Sequence, residues 1–131
     1  MACNPILEAF GNSKTTRNEN SSRFGKYVQI YFSGDNTIVG ASINSYLLEK
    51  SRVVSAAEKE RSFHIFYCLI ASGTTDLQKA THYNYLSRSK CYEAAGIDDK
   101  AYFAEIKKSM KSIGFTEKEE NKIWQLLCSI L

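Results

Sequence analysis

A polar loop near the start of the chain carries the residue types best suited to chemistry. Residues 18–26 read Asn-Glu-Asn-Ser-Ser-Arg-Phe-Gly-Lys, which combines amides, adjacent hydroxyls and one arginine. A serine hydroxyl is a hard oxygen ligand that suits octahedral magnesium. Arginine and asparagine donate hydrogen bonds to phosphate oxygens or to a carboxylate. The loop therefore fits a segment that senses a phosphate and its metal, although an ordinary polar loop of turn-forming residues is the alternative.

The residues on both sides of this loop predict the elements that hold it. Asn4 as an N-cap and Pro5 in the first turn predict a short helix over residues 5–10, ended by Gly11. Residues 12–23 contain no apolar side chain, so they predict a solvated or ligand-facing loop.

A β-hairpin is predicted over about residues 27–46. Residues 27–32 alternate β-branched and aromatic side chains with others, which places Val28, Ile30 and Phe32 on one face. Residues 33–36 form a turn cluster, and residues 37–43 predict the returning strand. A glycine inside that strand, Gly40, predicts a bulge or a close backbone approach.

Three longer helices are predicted in the rest of the chain. Capping-box patterns open the first, over about 58–72, and the last, over 117–131, while an aspartate N-cap opens the middle helix, over 98–113. The residues that set these limits are Ser55 with Glu58, Thr116 with Glu119, and Asp98. One stripe of the first helix is apolar and is expected to lie in the protein core; it consists of Phe63, Phe66, Tyr67 and Ile70.

Composition indicates one soluble domain of ordinary character. Of the 131 residues 44% are hydrophobic and 24% are charged, and the net charge of +3 is too small to indicate nucleic-acid or membrane binding. The four cysteines include no C-x-x-C pair, which argues against a zinc site and favours a reducing compartment. No signal peptide or 18-residue apolar run is present, so we expect a cytosolic protein.

The stretch Asn4–Asn12, taken together with residues 18–26, resembles the switch I region of a myosin motor. Residues 46–53 (Tyr-Leu-Leu-Glu-Lys-Ser-Arg-Val) and 60–67 (Glu-Arg-Ser-Phe-His-Ile-Phe-Tyr) are similar to further myosin head sequences, in the expected order. Weaker matches fall at 83–86, 96–99 and 113–115, and residues 74–95 match least. The resemblance implies an α/β fold: residues 1–131 would be part of one P-loop-containing motor domain, with the hairpin in its central sheet, flanking helices and no second domain.

The resemblance also implies roles for individual loop residues, within a switch I loop over residues 12–26. Ser22 would coordinate the magnesium of MgATP, and Ser21 would lie beside the γ-phosphate and the attacking water. Asn18 and Asn20 would support the phosphates and the loop geometry. Arg23 would pair with a glutamate of switch II and close the pocket. Ser21 and Arg23 are thus the expected catalytic residues, and ATP and Mg²⁺ are the expected cofactors.

Two motifs that such a motor needs are not in this sequence. It contains neither G-x-x-x-x-G-K-[ST], which cradles phosphates, nor Asp-x-x-Gly-Phe-Glu, which would supply the glutamate for Arg23. We therefore expect an internal piece of a longer cytoskeletal motor, inactive as an ATPase by itself. Actin, light chains and the remainder of the motor domain would be its partners, the first two through parts outside this sequence. Ser13 and Cys68 depart from the alanine and glutamine expected there.

Two other interpretations remain open. The chain could be a non-catalytic module that binds an anion or a protein through the basic loop 14–26, with Lys14, Arg17, Arg23 and Lys26. Alternatively, its strands could lack their sheet partners, so that the chain would not fold alone. His64, between Phe63 and Ile65 on a predicted helix, is expected to be structural. His82 is expected in a loop and has no second histidine at metal-ligand spacing.

Overall fold

In the computed structural model, which describes residues 2–131, one helix is followed by two small antiparallel sheets and then by the remaining helices. Met1, the first residue of the predicted domain, lies outside the described residues. The strands are β1 (Asn12–Ser13), β2 (Ser21–Ser22), β3 (Gly25–Phe32) and β4 (Ile38–Tyr46). The helices are α1 (Asn4–Gly11), α2 (Lys50–Val54), α3 (His64–Ser72), α4 (Asn84–Ser87), α5 (Asp99–Ser112) and α6 (Glu117–Ile130), with a 3₁₀ turn over Ala80–His82.

Helix α3 is the centre of the core. Its residues 64–69 are all buried, and the helix packs against α5 and α1. Side chains from α4 and α6 complete the core: the Phe66 and Tyr85 rings meet edge to face at 5.2 Å, and the Phe103 and Trp124 centroids lie 5.0 Å apart. Because α3 is buried on all sides, its core face is wider than the single stripe that the sequence pattern predicted.

The start of α3 differs from the sequence prediction. The helix begins at His64 rather than at residue 58, and the predicted pair Ser55 and Glu58 does not cap it. Instead, Phe63 bridges antiparallel to Ser13, and the Arg61 amide donates to the Lys14 carbonyl at 3.0 Å. Backbone groups used in this pairing cannot also belong to a helix, so a long-range contact overrides the local capping signal.

Local signals set the limits of α5 and α6. The Asp98 carboxylate accepts hydrogen bonds from the amides of Lys100 and Ala101. Thr116 and Glu119 form the complete capping box that opens α6. Both caps were predicted because a cap depends only on residues two or three positions apart. At the other end of the chain, α1 begins after Cys3 rather than after Asn4. Residues 50–54, for which the sequence predicted no helix, form α2.

The β3–β4 hairpin extends away from the helices. Its register runs from Gly25 opposite Tyr46 to Phe32 opposite Ile38, with a shift between Tyr31 and Phe32 beside Gly40, where the sequence predicted a bulge. Of the expected apolar face, Ile30 and Phe32 are 45% and 58% exposed. The helices of this chain therefore leave both faces of the hairpin largely uncovered.

The state of the cysteines and the length of the helices complete the description of the fold. All four cysteines are free thiols, with Cys68 buried in the core. Burial, together with the Asp99 carboxylate, raises the pKa of the Cys68 thiol above its usual range. Among residues 2–131, the helices are too short and too polar to cross a lipid bilayer.

Truncating a leucine of the central helix should destabilise the chain strongly. Leu69 is fully buried in α3, so Leu69→Ala should lower the free energy of unfolding by about 2–5 kcal/mol. Leu126→Ala is the matched control, because Leu126 is 64% exposed on α6 and its change should stay within roughly 0.5 kcal/mol. Urea unfolding followed by circular dichroism measures both; equal losses would contradict the central position of α3.

Candidate functional site

The polar loop is held at its base by two very short strands. Asn12 and Ser13 of β1 pair with Ser22 and Ser21 of β2, and the Arg23 amide donates to the Gly11 carbonyl at 2.8 Å. The intervening residues 14–20 therefore form the loop of a small hairpin. Because both ends of the loop are bonded, the backbone of the two serines has a defined position at its exit.

Two glycines allow neighbouring rings to approach the ends of this segment. A side-chain carbon at Gly11 would lie 2.3 Å from the Phe24 ring, and one at Gly25 would lie 2.6 Å from the Tyr46 ring. Both distances are far below van der Waals contact, so any larger residue would displace an aromatic ring. The glycines on either side of the segment thus have a packing role.

Asn18 shapes the turn inside the loop. The Thr15 amide donates to the Asn18 carbonyl at 2.8 Å, and the Asn18 amide donates to the Thr15 hydroxyl at 3.1 Å. The Asn18 side-chain carbonyl in turn accepts from the Asn20 amide at 2.8 Å. This is the local side chain-to-backbone bonding by which asparagine stabilises turns.

The side chain of Asn20 is held by hydrogen bonds to residues of β1 and α3. Its Oδ1 accepts from Asn12 Nδ2 at 3.0 Å and lies 3.1 Å from His64 Nε2. Since this amide oxygen can only accept, Nε2 of His64 is the protonated nitrogen. Burial, reinforced by the Arg61 guanidinium, lowers the pKa of His64 to about 4, so the ring is neutral near pH 7.

Ser21, Ser22 and Arg23 lie together where the loop ends. Arg23 Nη1 donates to Ser21 Oγ at 2.9 Å, and Ser22 Oγ donates to the Phe24 carbonyl at 2.8 Å. The Ser22 hydroxyl is exposed, and because its proton is engaged its lone pairs remain available to a cation. The chemistry of this donor set therefore fits a magnesium-bound phosphate.

Arg23 also belongs to an ion-pair network that the sequence did not reveal. Its Nε donates to Glu49 Oε2 at 2.7 Å, and the Arg52 Nε donates to the same oxygen at 2.7 Å. Arg52 continues the network to Glu60 at 2.7 Å. Burial of Glu49 raises the pKa of its carboxyl, but the two arginines outweigh that effect and hold the pKa below its usual range. Glu49 and Arg52 fall in the stretch 46–53 quoted above. Their opposite charges three residues apart were the one sequence feature that could have predicted an ion pair between them.

A second ion pair lies within the loop, and its carboxylate also accepts a hydrogen bond from the segment before α5. Lys14 Nζ lies 2.8 Å from Glu19 Oε2, and the Ala95 amide donates to the same carboxylate at 2.7 Å. The Lys14 contact and the Ala95 amide lower the pKa of Glu19 below its usual range. The loop is therefore attached to the segment before α5 as well as to α3.

Two observations limit what this site can do alone. Within residues 2–131, no cluster of three or more histidine, cysteine or carboxylate side chains could hold a metal ion. The Ser22 hydroxyl is a single oxygen donor, so a magnesium ion bound there would take its other ligands from phosphate, water or other groups. The adjacent cleft of about 490 Å³ is lined by Asn20 but also by Glu8, Asp98 and Glu105, whose charges would repel a polyphosphate. Any nucleotide would therefore need further groups from outside this cleft.

Comparison with known proteins identifies a family for the whole chain. Residues 1–131 match the family described as myosin head (motor domain). The chain is 47% identical over 137 aligned positions to Myosin-1 of Aspergillus clavatus, covering 100% of this chain and 11% of that protein. It is 47% identical to unconventional myosin heavy chain 6 of Caenorhabditis elegans and 46% identical to the myosin ID heavy chain of Dictyostelium discoideum. All of this chain aligns in both cases, with 6% and 12% of those proteins.

Neutral, buried His64 should make the stability of the chain depend on pH. With a pKa near 4 when folded, against 6.5 unfolded, the unfolded state binds more protons between these values, so stability falls as pH is lowered. From pH 7.5 to pH 5 we expect a loss of about 2 kcal/mol from this residue. Urea unfolding at both pH values measures it. His64→Gln should remove this dependence, whereas His82→Gln, at an exposed site, should keep it; a dependence retained in His64→Gln would contradict the assignment.

Proposed function

This chain belongs to the myosin head (motor domain) family, and we propose that residues 12–26 are the switch I segment of an actin-based, ATP-driven motor. The observation that supports this most directly is the grouping of Ser21, Ser22 and Arg23 at the exit of a loop anchored at both ends. Because the chain spans only 6–12% of the relatives named above, the activity of a whole motor is a proposal here.

Ser22 is proposed as a ligand of the magnesium of MgATP, through its exposed hydroxyl. Ser21 would lie beside the γ-phosphate and the attacking water, with Arg23 oriented against its hydroxyl at 2.9 Å. Asn20 would present its amide from a position fixed by Asn12 and His64, and Asn18 would maintain the turn. When bound, the metal would supply charge neutralisation to the phosphates, and these residues would orient and sense it.

Arg23 is proposed to close the pocket around the phosphate by pairing with a carboxylate outside this chain. An arginine in this position contributes through electrostatic stabilisation and by excluding water. A phosphate-cradling P-loop and the carboxylate partner would both come from the rest of a motor domain, since the sequence contains neither motif. We therefore propose that the chain has no ATPase activity by itself.

The exposed hairpin is consistent with a position inside a larger sheet. Strands β3 and β4 expose aromatic and β-branched side chains on both faces, a pattern expected of strands covered on both sides in the complete structure. We propose that the hairpin belongs to the central sheet of the motor. Actin and light chains would bind to other parts of that motor, placing it at the cytoskeleton in the cytoplasm.

The alternative of a basic, anion-binding loop receives less support. Two of the four basic side chains are paired with carboxylates, Lys14 with Glu19 and Arg23 with Glu49. Lys26 Nζ donates to the neutral Asn4 Oδ1 at 3.2 Å, and Arg17 is exposed. A basic side chain already paired with a carboxylate offers little net charge to an external anion. The proposal therefore remains with the switch.

Removing the Ser22 hydroxyl should weaken magnesium-dependent turnover. The protein for this test is a Dictyostelium myosin ID heavy chain whose matching segment is replaced by residues 2–131. Loss of one ligand contact should lower MgATP turnover in Ser22→Ala by roughly tenfold or more and shift the half-saturating Mg²⁺ concentration upwards. Steady-state phosphate release at varied Mg²⁺ measures both. Ser112→Ala, an exposed serine at the end of α5, is the matched control, and unchanged turnover in Ser22→Ala would count against the assignment.

Reversing the charge of Arg23 should separate nucleotide binding from hydrolysis. In the same chimaeric motor, Arg23→Glu should still bind MgATP but lose the rapid phosphate burst, because the closing ion pair can no longer form. Quenched-flow measurement of the first turnover tests this directly. Arg17→Glu makes the same charge change at an exposed position in the same loop and should retain the burst. A normal burst in Arg23→Glu would contradict the proposed role.

A further inference from the structure

Glu49 holds Arg23 at both its backbone and its side chain. The Glu49 amide donates to the Arg23 carbonyl at 2.8 Å, and Glu49 Oε2 accepts from Arg23 Nε at 2.7 Å. The two residues are 26 positions apart and lie on opposite sides of the β3–β4 hairpin in sequence. The contact is therefore a specific tertiary one.

Arg52 shares the carboxylate oxygen that binds Arg23. Its Nε lies 2.7 Å from Glu49 Oε2, and its other nitrogens donate to Glu60 Oε2 at 2.7 Å and to the Arg61 carbonyl at 2.9 Å. The Arg52 side chain is only 5% exposed, whereas the Arg23 side chain is 27% exposed. Arg52 is thus the permanent, buried partner of Glu49, and Arg23 is its peripheral partner.

Because of this arrangement, breaking the ion pair between Arg23 and Glu49 should cost the folded protein little free energy. Breaking a buried ion pair is usually costly because it leaves one charge without a partner. Here Glu49 would keep Arg52, and two guanidinium groups that converge on one oxygen repel each other. An ion pair that is partly exposed and shares its acceptor is a weak one.

We propose that Glu49 is a positioning residue that competes for Arg23, holding its guanidinium away from the phosphate-closing contact until a stronger partner is present. This inference rests on the proposed function of Arg23 described above. The external partner is a carboxylate presented when a phosphate or its transition-state analogue occupies the site. Arg52 keeps Glu49 neutralised in both positions of Arg23.

The competition weakens the binding of a ligand that requires the closed pocket, because only molecules in which Arg23 has left Glu49 can bind that ligand. Removing the Glu49 charge should therefore tighten binding of a ligand that requires closure and leave other nucleotide binding unchanged. A residue with only a structural role would give the opposite result, because losing it could only weaken binding.

The test measures two dissociation constants in the chimaeric motor defined above, for MgADP alone and for MgADP with vanadate, which imitates the transferring phosphoryl group. Glu49→Gln should tighten the vanadate complex by about two- to fivefold, the range expected for a partly exposed ion pair. The MgADP constant should not change. In an Arg23→Ala background the gain should disappear, because no arginine is left to release.

Two controls separate this effect from loss of charge or of packing. Glu58→Gln removes an exposed carboxylate nine residues further along the chain and should change neither constant. Glu60→Gln removes the other carboxylate partner of Arg52 but leaves the pair of Arg23 with Glu49, so it should lower thermal stability without tightening the vanadate complex.

The outcomes distinguish this inference from the proposed function. If Arg23→Ala weakens the vanadate complex but Glu49→Gln gives no gain or a loss, the competition is overturned and the switch assignment stands. If Arg23→Ala leaves both constants unchanged, the role of Arg23 and the competition are overturned together. A gain in Glu49→Gln that persists without Arg23 would also overturn the inference.

Discussion

The backbone pairing between the base of the polar loop and the start of α3 is the contact on which the site depends. Ser13 bridges Phe63, and Lys14 accepts from the Arg61 amide, so the first strand of the loop is bonded to a segment almost fifty residues later. The same strand pairs with β2 on its other side. Three segments of the chain therefore meet at β1, and the fixed α3 beneath it gives the loop a rigid support.

The support and the exposed end of the loop are built from different interactions. His64 contributes a neutral hydrogen bond to Asn20 from a fully buried position, where a charged ring would be costly. Arg23 contributes an ion pair that is partly open to water. A buried neutral bond holds one geometry firmly, whereas a shared surface ion pair can be exchanged for another. The loop thus combines a fixed amide with a displaceable guanidinium only three residues later.

Sequence reasoning succeeded where the signal was local. The caps at Asp98 and at Thr116 with Glu119 depend on neighbouring residues and were predicted correctly. The start of α3 was wrong because Ser55 and Glu58 offered an equally good local cap that a distant strand overrode. A capping pattern reports what a segment can form alone, and the fold decides whether its backbone is needed elsewhere.

The candidate site shows the same division. The residue types in 18–26 were compatible with phosphate and magnesium chemistry but also with an ordinary polar loop, and the resemblance to a known family was needed to choose between them. The roles of these residues are proposals. Their tertiary contacts could not be predicted, because Glu49 is 26 residues from Arg23 and His64 is 44 from Asn20. No periodicity links such positions. Packing also limits which residues fit at the ends of this loop. Gly11 and Gly25 admit the Phe24 and Tyr46 rings, and Tyr46 ends the strand that leads into Glu49. A change in the hairpin would therefore move the carboxylate that holds Arg23, and packing and electrostatics at this site cannot vary independently.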